Sequence, residues 1–277
     1  MAEKTRGDLI IIGGHEDKRG GRTILTEVAR RAKGRPGPLL IITVATQQPE
    51  EMGKEYTRIF HELGMQQVEV LDVRTRDEAS DEANVEKVKA AALVFFTGGD
   101  QLRITSQIGD SPTFRCMRDR YTQGMTIVGT SAGAAAMPDT MLIEGEGDTS
   151  AEISAIGMAP GLGFIPGVVI DSHFAERGRM GRLLGAVAQN PKNLGLGIDE
   201  DTAIIVQRDE HFRVLGSGAV YVVDGAKLSY SSLSEKNPAG VVSIYDLNLH
   251  VLSQGDCFAL ASRRPSPAEN ERGEDSK

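Results

Sequence analysis

The segment Gly129-Thr130-Ser131-Ala132-Gly133 has the G-x-S-x-G spacing of a nucleophile turn. It follows the apolar run Thr126-Ile127-Val128 and precedes the small residues Ala132 to Ala136, which favour the start of a helix. A sharp turn from strand to helix lifts a serine hydroxyl clear of the sheet edge, and the flanking glycines avoid clashes in so tight a turn. The pattern therefore predicts that Ser131 is the nucleophile of an acyl-transfer reaction.

An oxyanion that forms beside Ser131 needs two N–H donors. The N–H of Ala132 is the first candidate because it opens the predicted helix. The segment Thr97-Gly98-Gly99-Asp100, which follows a neighbouring apolar run, is the candidate for the second.

The serine also needs a general base, which is usually histidine. Of the five histidines, His173 is favoured because it ends the run Val168 to Ser172 and so emerges where open α/β sheets bind their ligands. His15, beside Gly13-Gly14, is a candidate for a loop role or a substrate contact.

The third member of a triad should be a carboxylate that orients the imidazole. The segment Gly197-Ile198-Asp199-Glu200-Asp201-Thr202 offers three, although adjacent acids are more commonly a solvated loop. Asp148, nearer to Ser131 in the chain, is the alternative. The order serine, histidine, acid differs from that of ordinary α/β-hydrolases.

The elements that must position these residues alternate between strand and helix. Continuous apolar runs at Leu9–Ile12, Leu39–Val44, Val68–Val73 and Leu93–Phe96 are typical of strands buried on both faces, and helical stretches lie between them at Thr23–Lys33, Pro49–Leu63, Ala83–Ala91 and Pro112–Gln123. This alternation predicts an α/β fold, a doubly wound three-layer sandwich with a mostly parallel central sheet.

After a helix predicted over Gly178–Gln189, strands joined by glycine-containing turns follow, at Ala203–Gln207, Phe212–Leu215, Ala219–Val223, Val241–Leu247 and Cys257–Ala261. We expect them to extend the sheet as an antiparallel β-rich C-terminal extension. No linker interrupts the pattern, so residues 8–262 are assigned to one domain. Residues 1–7 are expected to be flexible, and residues 263–277 disordered because they are rich in Pro, Ser and Glu.

Composition excludes several classes of function. A formal net charge of −8 argues against nucleic-acid binding, which needs a basic face. Two cysteines, Cys116 and Cys257, cannot build a disulfide framework or a tetrahedral zinc site. The sequence shows neither a secretory signal nor an apolar run long enough for a bilayer, so a cytoplasmic protein without a membrane partner is expected.

Taken together, the segments resemble cyanophycinase, a serine peptidase family related to peptidase E within the class I glutamine-amidotransferase-like fold. The resemblance covers nearly the whole chain to about Phe258. It rests on motifs in the family's order, namely Gly13-Gly14-His15-Glu16-Asp17-Lys18, Phe96-Thr97-Gly98-Gly99-Asp100-Gln101, Gly129 to Ala134, Met137-Pro138-Asp139, Asp171-Ser172-His173-Phe174, Arg177-Gly178-Arg179-x-Gly181-Arg182-Leu183 and Gly197 to Ala203.

The resemblance implies hydrolysis of cyanophycin, a storage polymer with a poly-aspartate backbone and arginine on each β-carboxyl. The family cuts the α-peptide bonds of the backbone, releases β-aspartyl-arginine dipeptides, and uses no metal or organic cofactor. It also suggests a homodimer. Carried over by motif, Ser131, His173 and Glu200 form the triad, Gly99 and Ala132 supply the oxyanion N–H groups, and the substrate pocket comprises Gln101, Asp171, Ser172, Arg177, Arg179 and Arg182. Ser172 and His15 depart from the family's usual residues, which leaves details of the pocket open.

The arginines fit such a substrate on chemical grounds, because a polymer that is zwitterionic at every repeat needs guanidinium groups for its carboxylates. Without the resemblance, Arg177, Arg179 and Arg182 would more commonly be a solvated basic helix end. Two rival functions stay open at this point. One is a peptidase E-like dipeptidase acting on aspartyl peptides, and the other is a catalytically silent binding module of the same fold.

Overall fold

The computed structural model describes residues 6–143, 156–208, 210–234 and 242–268. Its helices are α1 Thr23–Ala32, α2 Pro49–Glu62, α3 Glu82–Ala90, α4 Gln101–Ile108, α5 Pro112–Thr122, α6 Ala132–Ala135 and α7 Met180–Gln189. Its strands are β1 Leu9–Ile12, β2 Leu39–Ile42, β3 Val68–Leu71, β4 Leu93–Phe96, β5 Thr126–Thr130, β6 Thr140–Ile143, β7 Gly157–Pro160, β8 Val168–Ser172, β9 Leu194–Ile198, β10 Thr202–Val206, β11 His211–Gly216, β12 Val220–Asp224, β13 Tyr230–Ser231, β14 Ile244–Tyr245, β15 Asn248–Leu252, β16 Cys257–Ala259 and β17 Arg264–Ser266.

The central sheet has the strand order β17-β16-β11-β10-β1-β5-β4-β2-β3 among the described residues. The half from β1 to β3 is parallel, whereas β10, β11, β16 and β17 add antiparallel strands beside β1. The predicted doubly wound fold with an antiparallel extension is confirmed.

Two apolar layers cover this sheet, which is why β1, β2 and β4 are continuously hydrophobic, whereas the edge strand β3 carries the exposed Glu69. Ile10 and Ile12 of β1 face the cluster formed with α1 and α2. Leu9 and Ile11 point to the opposite face, into a second cluster that includes residues of α4 and α5. Alternate residues of one strand thus enter different cores, as the two-residue period of a strand requires.

We had expected all the later strands to extend the central sheet, but some of them do not. β8, β9, β12 and β15 form a separate four-stranded sheet in the order β15-β12-β9-β8. Its inner residues, among them Ile170 and Leu196, join the same core as Leu9 and Ile11, and α7 covers its outer face through Leu183 and Val187. Both sheets are apolar on their inner faces, so strand patterning alone does not tell one sheet from two.

Three further details differ from the sequence-based expectation. Of the predicted strand Val241–Leu247 the structure describes residues 242–247, and among these only Ile244–Tyr245 is a strand. The longer strand is Asn248–Leu252, which pairs with β12 through its backbone although Leu249 and Val251 are exposed. Helix α4, which we did not predict, begins where the Asp100 side chain accepts the N–H of Leu102. The expected disordered tail contains the edge strand Arg264–Ser266, since backbone pairing with β16 orders it without apolar burial.

The end of β1 ties the two sheets together. The Gly13 carbonyl accepts the N–H of His173 at 2.8 Å, at the end of β8 in the second sheet. The Ile12 carbonyl accepts the N–H of Ser131 at 3.0 Å, and the Gly14 carbonyl accepts that of Asp201 at 2.9 Å. Segments that carry three predicted site residues thus converge on one strand end. No helix among the described residues is both long enough and apolar enough to span a bilayer.

Candidate active site

Ser131 occupies a strained turn between β5 and α6. Its backbone has φ 53° and ψ −113°, a left-handed region that residues with a β-carbon rarely adopt. A β-carbon at Gly129 would lie 2.4 Å from the Gly133 carbonyl oxygen, so the turn can close only with glycine there. The predicted helix after Ser131 is one short turn, Ala132–Ala135, and any electrostatic assistance comes from its first N–H groups rather than from a long dipole.

Ser131, His173 and Glu200 form one chain of hydrogen bonds. The Ser131 Oγ lies 2.8 Å from His173 Nε2, and His173 Nδ1 lies 2.7 Å from Glu200 Oε1. His173 is buried, whereas the Glu200 side chain is 26% exposed. The serine comes from the central sheet, and the histidine follows β8 of the second sheet, so the arrangement spans both sheets rather than one sheet edge as we had expected. This geometry fits a nucleophile, a base and an orienting acid.

The neighbouring acids of Glu200 are engaged elsewhere. Asp199 accepts the N–H groups of Ala175 and Ala219 at 2.9 and 3.1 Å. Asp201 accepts the N–H of Asp17 at 2.9 Å and the hydroxyl of Ser217 at 2.8 Å. Of the three adjacent carboxylates, Glu200 is thus the one that contacts His173. The alternative orienting acid, Asp148, lies outside the described residues.

The electrostatic surroundings favour a neutral base. Burial lowers the pKa of His173 below its ordinary value of 6.5, and the positive charge of Arg177 acts in the same direction, while the hydrogen bond to Glu200 opposes them. Burial alone would raise the pKa of Glu200, but hydrogen bonds from His173 and His15 outweigh burial and lower it. Glu200 is therefore an anion beside a neutral imidazole at neutral pH, as a base and its orienting carboxylate require.

This electrostatic balance predicts the acid limb of the pH profile. A general base acts when deprotonated, and a lowered His173 pKa means that protonation silences it only at a pH below 6.5. We expect kcat/KM on a soluble substrate, measured with a chelator present, to hold as pH falls through 6.5 and then to decline tenfold per pH unit. A limb centred above 6.5 would contradict the assignment of His173 as the base.

Two backbone N–H groups beside Ser131 are available to an oxyanion. Those of Gly99 and Ala132 donate to no acceptor within the part of the chain that the structure describes. The loop that carries Gly99 packs on the serine, since a β-carbon at Gly98 would lie 3.3 Å from Ser131 Cβ. The Asp100 N–H, which donates to the Ala45 carbonyl at 3.0 Å, fixes the same loop. The two predicted oxyanion donors thus have no acceptor among the described residues, and the loop that carries Gly99 packs against Ser131.

Ser131 and His173 lie on the wall of a cavity of about 590 Å³ whose lining carries charges of both signs. Lys18, Arg19 and Arg177 are its cations, and Glu16 and Asp17 are its anions. Backbone N–H groups of Arg22, Gly20 and Arg19 donate to the Asp17 carboxylate and lower its pKa to about 2, so it carries a fixed negative charge. A ligand that bears both a carboxylate and a cation would find partners here.

Residues 9–214 of the chain match the pattern of peptidase family S51. The chain belongs to this family. Two similar proteins are named cyanophycinase. That of Nostoc sp. is 40% identical over 96% of this chain and 90% of its own length, and that of Geminocystis herdmanii is 39% identical over 96% of this chain and 98% of its own length. The solved structure of a peptidase from an acI-B1 Actinobacterium superposes with a TM-score of 0.70 over 93% of this chain and 98% of its own, and at 20% identity it supports the fold alone.

The predicted substrate residues of this S51 peptidase separate into two groups. Arg177 lines the cavity and makes no ion pair with any described residue. Asp171, by contrast, is buried and pairs with Arg179 at 2.9 Å and with Arg182 at 3.0 Å. These two arginines fix the end of β8, immediately before His173. Arg179 also donates a hydrogen bond to the Ser172 carbonyl at 2.8 Å.

Gln101 and Ser172 are likewise not among the residues that line the cavity of this S51 peptidase. The Gln101 amide donates to the Leu142 carbonyl at 2.9 Å, and Ser172 is buried at the end of β8. A role for these two residues, and for Asp171, Arg179 and Arg182, in substrate binding stays a prediction.

Sequence reasoning missed a buried anchor beneath the nucleophile. Glu16 is 3% exposed and accepts hydrogen bonds from the Tyr56 hydroxyl and, at 2.6 Å, from that of Thr130, the residue before Ser131. The anchor links the first loop, α2 and the end of β5, which stiffens the elbow of this S51 peptidase. Glu16 belongs to the first motif of the resemblance, but nothing in the sequence signals its partner Tyr56, which is 40 residues away.

The absence of a side chain at Gly14 leaves space for the His173 imidazole in this S51 enzyme. A β-carbon there would lie 2.3 Å from His173 Cε1 and 2.4 Å from Nε2. We expect Gly14→Ala to push the imidazole off the serine and to lower kcat/KM by about 100-fold, the typical cost of misplacing a catalytic group by an ångström.

Gly34→Ala is the matched control for Gly14→Ala. Both glycines have positive φ, but a β-carbon at Gly34 would meet nothing within 4 Å. Its effect therefore measures backbone strain alone. Equal activities of the two variants would contradict the role given to Gly14.

Proposed function

We propose that this chain is a serine peptidase that hydrolyses the α-linked poly-aspartate backbone of cyanophycin and releases β-aspartyl-arginine dipeptides. The observation that carries the proposal is the hydrogen-bonded series Ser131–His173–Glu200, which opens onto a cavity with charges of both signs. Two relatives that match almost the whole chain are named cyanophycinases.

In the first chemical step the Ser131 Oγ attacks an aspartyl backbone carbonyl carbon while its proton passes to His173 Nε2. Glu200 holds the imidazole in the required tautomer and stabilises the imidazolium that forms. The carbonyl oxygen becomes an oxyanion, which accepts hydrogen bonds from the N–H groups of Gly99 and Ala132. The series of contacts at 2.8 and 2.7 Å supports this step.

Collapse of the tetrahedral intermediate breaks the C–N bond. His173 gives its proton to the departing amine, which leaves an ester between the substrate's acyl group and Ser131. A water molecule then attacks the ester carbonyl as His173 takes one of its protons, and the same proton returns to Ser131 as the acid product leaves. No group outside the chain and water is needed for this balance.

The charges of the cavity suit the polymer's side chains. Each repeat of cyanophycin carries an arginine whose α-carboxylate and guanidinium are both free. We propose that Arg177 and Arg19, which pair with no described residue, bind the carboxylate and that Asp17 binds the guanidinium. An uncharged peptide would leave these groups without partners, which disfavours it as a substrate.

Location and assembly are part of the same proposal. We propose that residues 8–262 act as one peptidase domain, that the enzyme works in the cytoplasm where a storage polymer would accumulate, and that it is a homodimer like the family it resembles. Light scattering coupled to size exclusion of the full chain tests the last point, with twice the chain mass of 29.7 kDa expected.

One incubation tests the substrate. Insoluble cyanophycin is mixed with the full chain or with Ser131→Ala, and the soluble products are identified by mass. We expect β-aspartyl-arginine from the parent chain alone. Cleavage of a small N-terminal aspartyl dipeptide without release from the polymer would instead indicate a peptidase E-like dipeptidase, and no cleavage of either would indicate a silent binding module.

A further inference from the structure

We infer that His15, His173 and Glu200 form a binding site for a zinc-type divalent ion, and that an ion bound there inhibits the peptidase. His15 is the residue that the mechanism leaves unused. Its Nδ1 lies 2.7 Å from Glu200 Oε1, the same oxygen that accepts from His173. The two imidazole rings stand edge to face with centroids 5.0 Å apart.

The donor atoms of the three residues lie close together, and the cluster is open to solvent on the side of His15. One ligand atom from each residue falls within 4.8 Å of the other two. The His15 side chain is 73% exposed, Glu200 is 26% exposed, and His173 is 5% exposed. An ion can therefore reach the cluster from the solvent side, and a water molecule can complete its coordination there.

The donor chemistry selects the class of ion. Two imidazole nitrogens and one carboxylate oxygen are a common ligand set for zinc, with the fourth position open. Imidazole also suits copper and nickel, whereas magnesium and calcium prefer oxygen ligands throughout. Among these ions we favour zinc, which has no redox chemistry of its own.

The geometry requires a small adjustment. Bonds of 2.0–2.1 Å in a tetrahedral site place two ligand atoms roughly 3.3 Å apart, compared with about 2.7 Å in a hydrogen bond. His15 can supply its part of this movement because it lies on an exposed loop with φ 45° and packs on the other two residues from outside. The contact between His173 and Glu200, also 2.7 Å, lengthens by movement of the Glu200 side chain, which is 26% exposed. The backbone of His173 stays fixed by its hydrogen bond to Gly13.

The tautomer of His173 explains why the ion inhibits. In the mechanism Nδ1 carries the hydrogen and Nε2 offers its lone pair to the Ser131 proton. A metal on Nδ1 uses the Nδ1 lone pair, and in the neutral ring the hydrogen must then reside on Nε2. His173 would donate to Ser131 instead of accepting from it, and Glu200 would be drawn to the ion. The nucleophile would lose its base while the fold stayed unchanged.

Direct binding tests the site independently of catalysis. We expect the Ser131→Ala chain to bind one equivalent of zinc chloride by calorimetry, and Co²⁺ at the same site to give the visible spectrum of a tetrahedral complex. Adding His15→Ala or His15→Gln should weaken binding at least tenfold, whereas His250→Ala on β15 should leave it unchanged. Equal affinity with and without His15 in folded protein would overturn the inference.

Inhibition is the second arm, and it alone rests on the proposed function. Zinc should inhibit cyanophycin hydrolysis by the parent chain, with full recovery on adding EDTA. His15→Ala, compared with its own zinc-free rate, should need at least ten times more zinc for half inhibition. Unchanged zinc sensitivity would overturn the inhibitory role. If the chain bound zinc through His15 but did not cleave cyanophycin, the inferred zinc site would stand and the proposed substrate would be contradicted.

Discussion

Replacing Ser131 by alanine is expected to lower kcat on cyanophycin by about 10⁴- to 10⁶-fold, because removal of a nucleophile leaves only oxyanion stabilisation and binding. The KM should change little, since the hydroxyl contacts the substrate mainly in the transition state. The measurement is the initial rate of dipeptide release by parent and variant at equal protein concentration.

The fold of the Ser131→Ala variant should be intact, because alanine keeps the β-carbon and the Ser131 backbone bond to Ile12 does not involve the hydroxyl. Circular dichroism and the thermal midpoint check this point. Ser106→Ala, an exposed serine on α4, controls for preparation and should match the parent rate. Hydrolysis by folded Ser131→Ala at more than about a hundredth of the parent rate would exclude Ser131 as the nucleophile.

Glu200→Gln is expected to lower kcat by about 10⁴-fold, the order found when the orienting carboxylate of a serine triad becomes an amide. Glutamine keeps the size of the side chain but removes the charge that stabilises the imidazolium, and its amide can turn an N–H toward His173 Nδ1. The rate of release is measured at a pH well above the His173 pKa, so that protonation of the base does not contribute.

Two other acids provide the comparison. Glu176, whose carboxylate accepts the Glu200 N–H at 3.3 Å, makes no contact with the imidazole, so Glu176→Gln should cost less than tenfold. Asp148→Asn should likewise be milder than Glu200→Gln. If Asp148→Asn were the more damaging, the orienting role would pass to Asp148.

The nucleophile turn was predictable from sequence because every property it needs is local. A buried strand, a glycine on each side and small residues after Ser131 are all contained in residues 126–136. His173 was predictable for a related reason, since the end of an apolar strand is where an α/β fold presents side chains to a ligand.

The choice among Asp199, Glu200 and Asp201 could not be made from spacing. All three carboxylates fall in one short connection between β9 and β10, and the positive φ of Asp201, 46°, turns successive side chains toward different partners. Only the tertiary arrangement shows that Asp199 and Asp201 brace backbone N–H groups. The family resemblance selected Glu200, which the residues alone did not.

The arginine segment shows how charge in a sequence can mislead. Arg177, Arg179 and Arg182 look equivalent, yet Asp171 pairs with the last two and leaves Arg177 at the cavity. The division of the later strands between two sheets was hidden for a similar reason. Backbone pairing between strands decides which sheet each strand joins, and the pattern of apolar and polar side chains does not reveal this pairing.

A crystal structure of Ser131→Ala with a short cyanophycin oligomer tests the central claim most directly. We predict an aspartyl backbone carbonyl carbon within about 3.5 Å of the place where Oγ would lie, with its oxygen directed at the N–H groups of Gly99 and Ala132. His173 should face that carbon while keeping its hydrogen bond to Glu200. An oligomer bound away from residue 131, or an imidazole turned away from it with no contact to Glu200, would contradict the account.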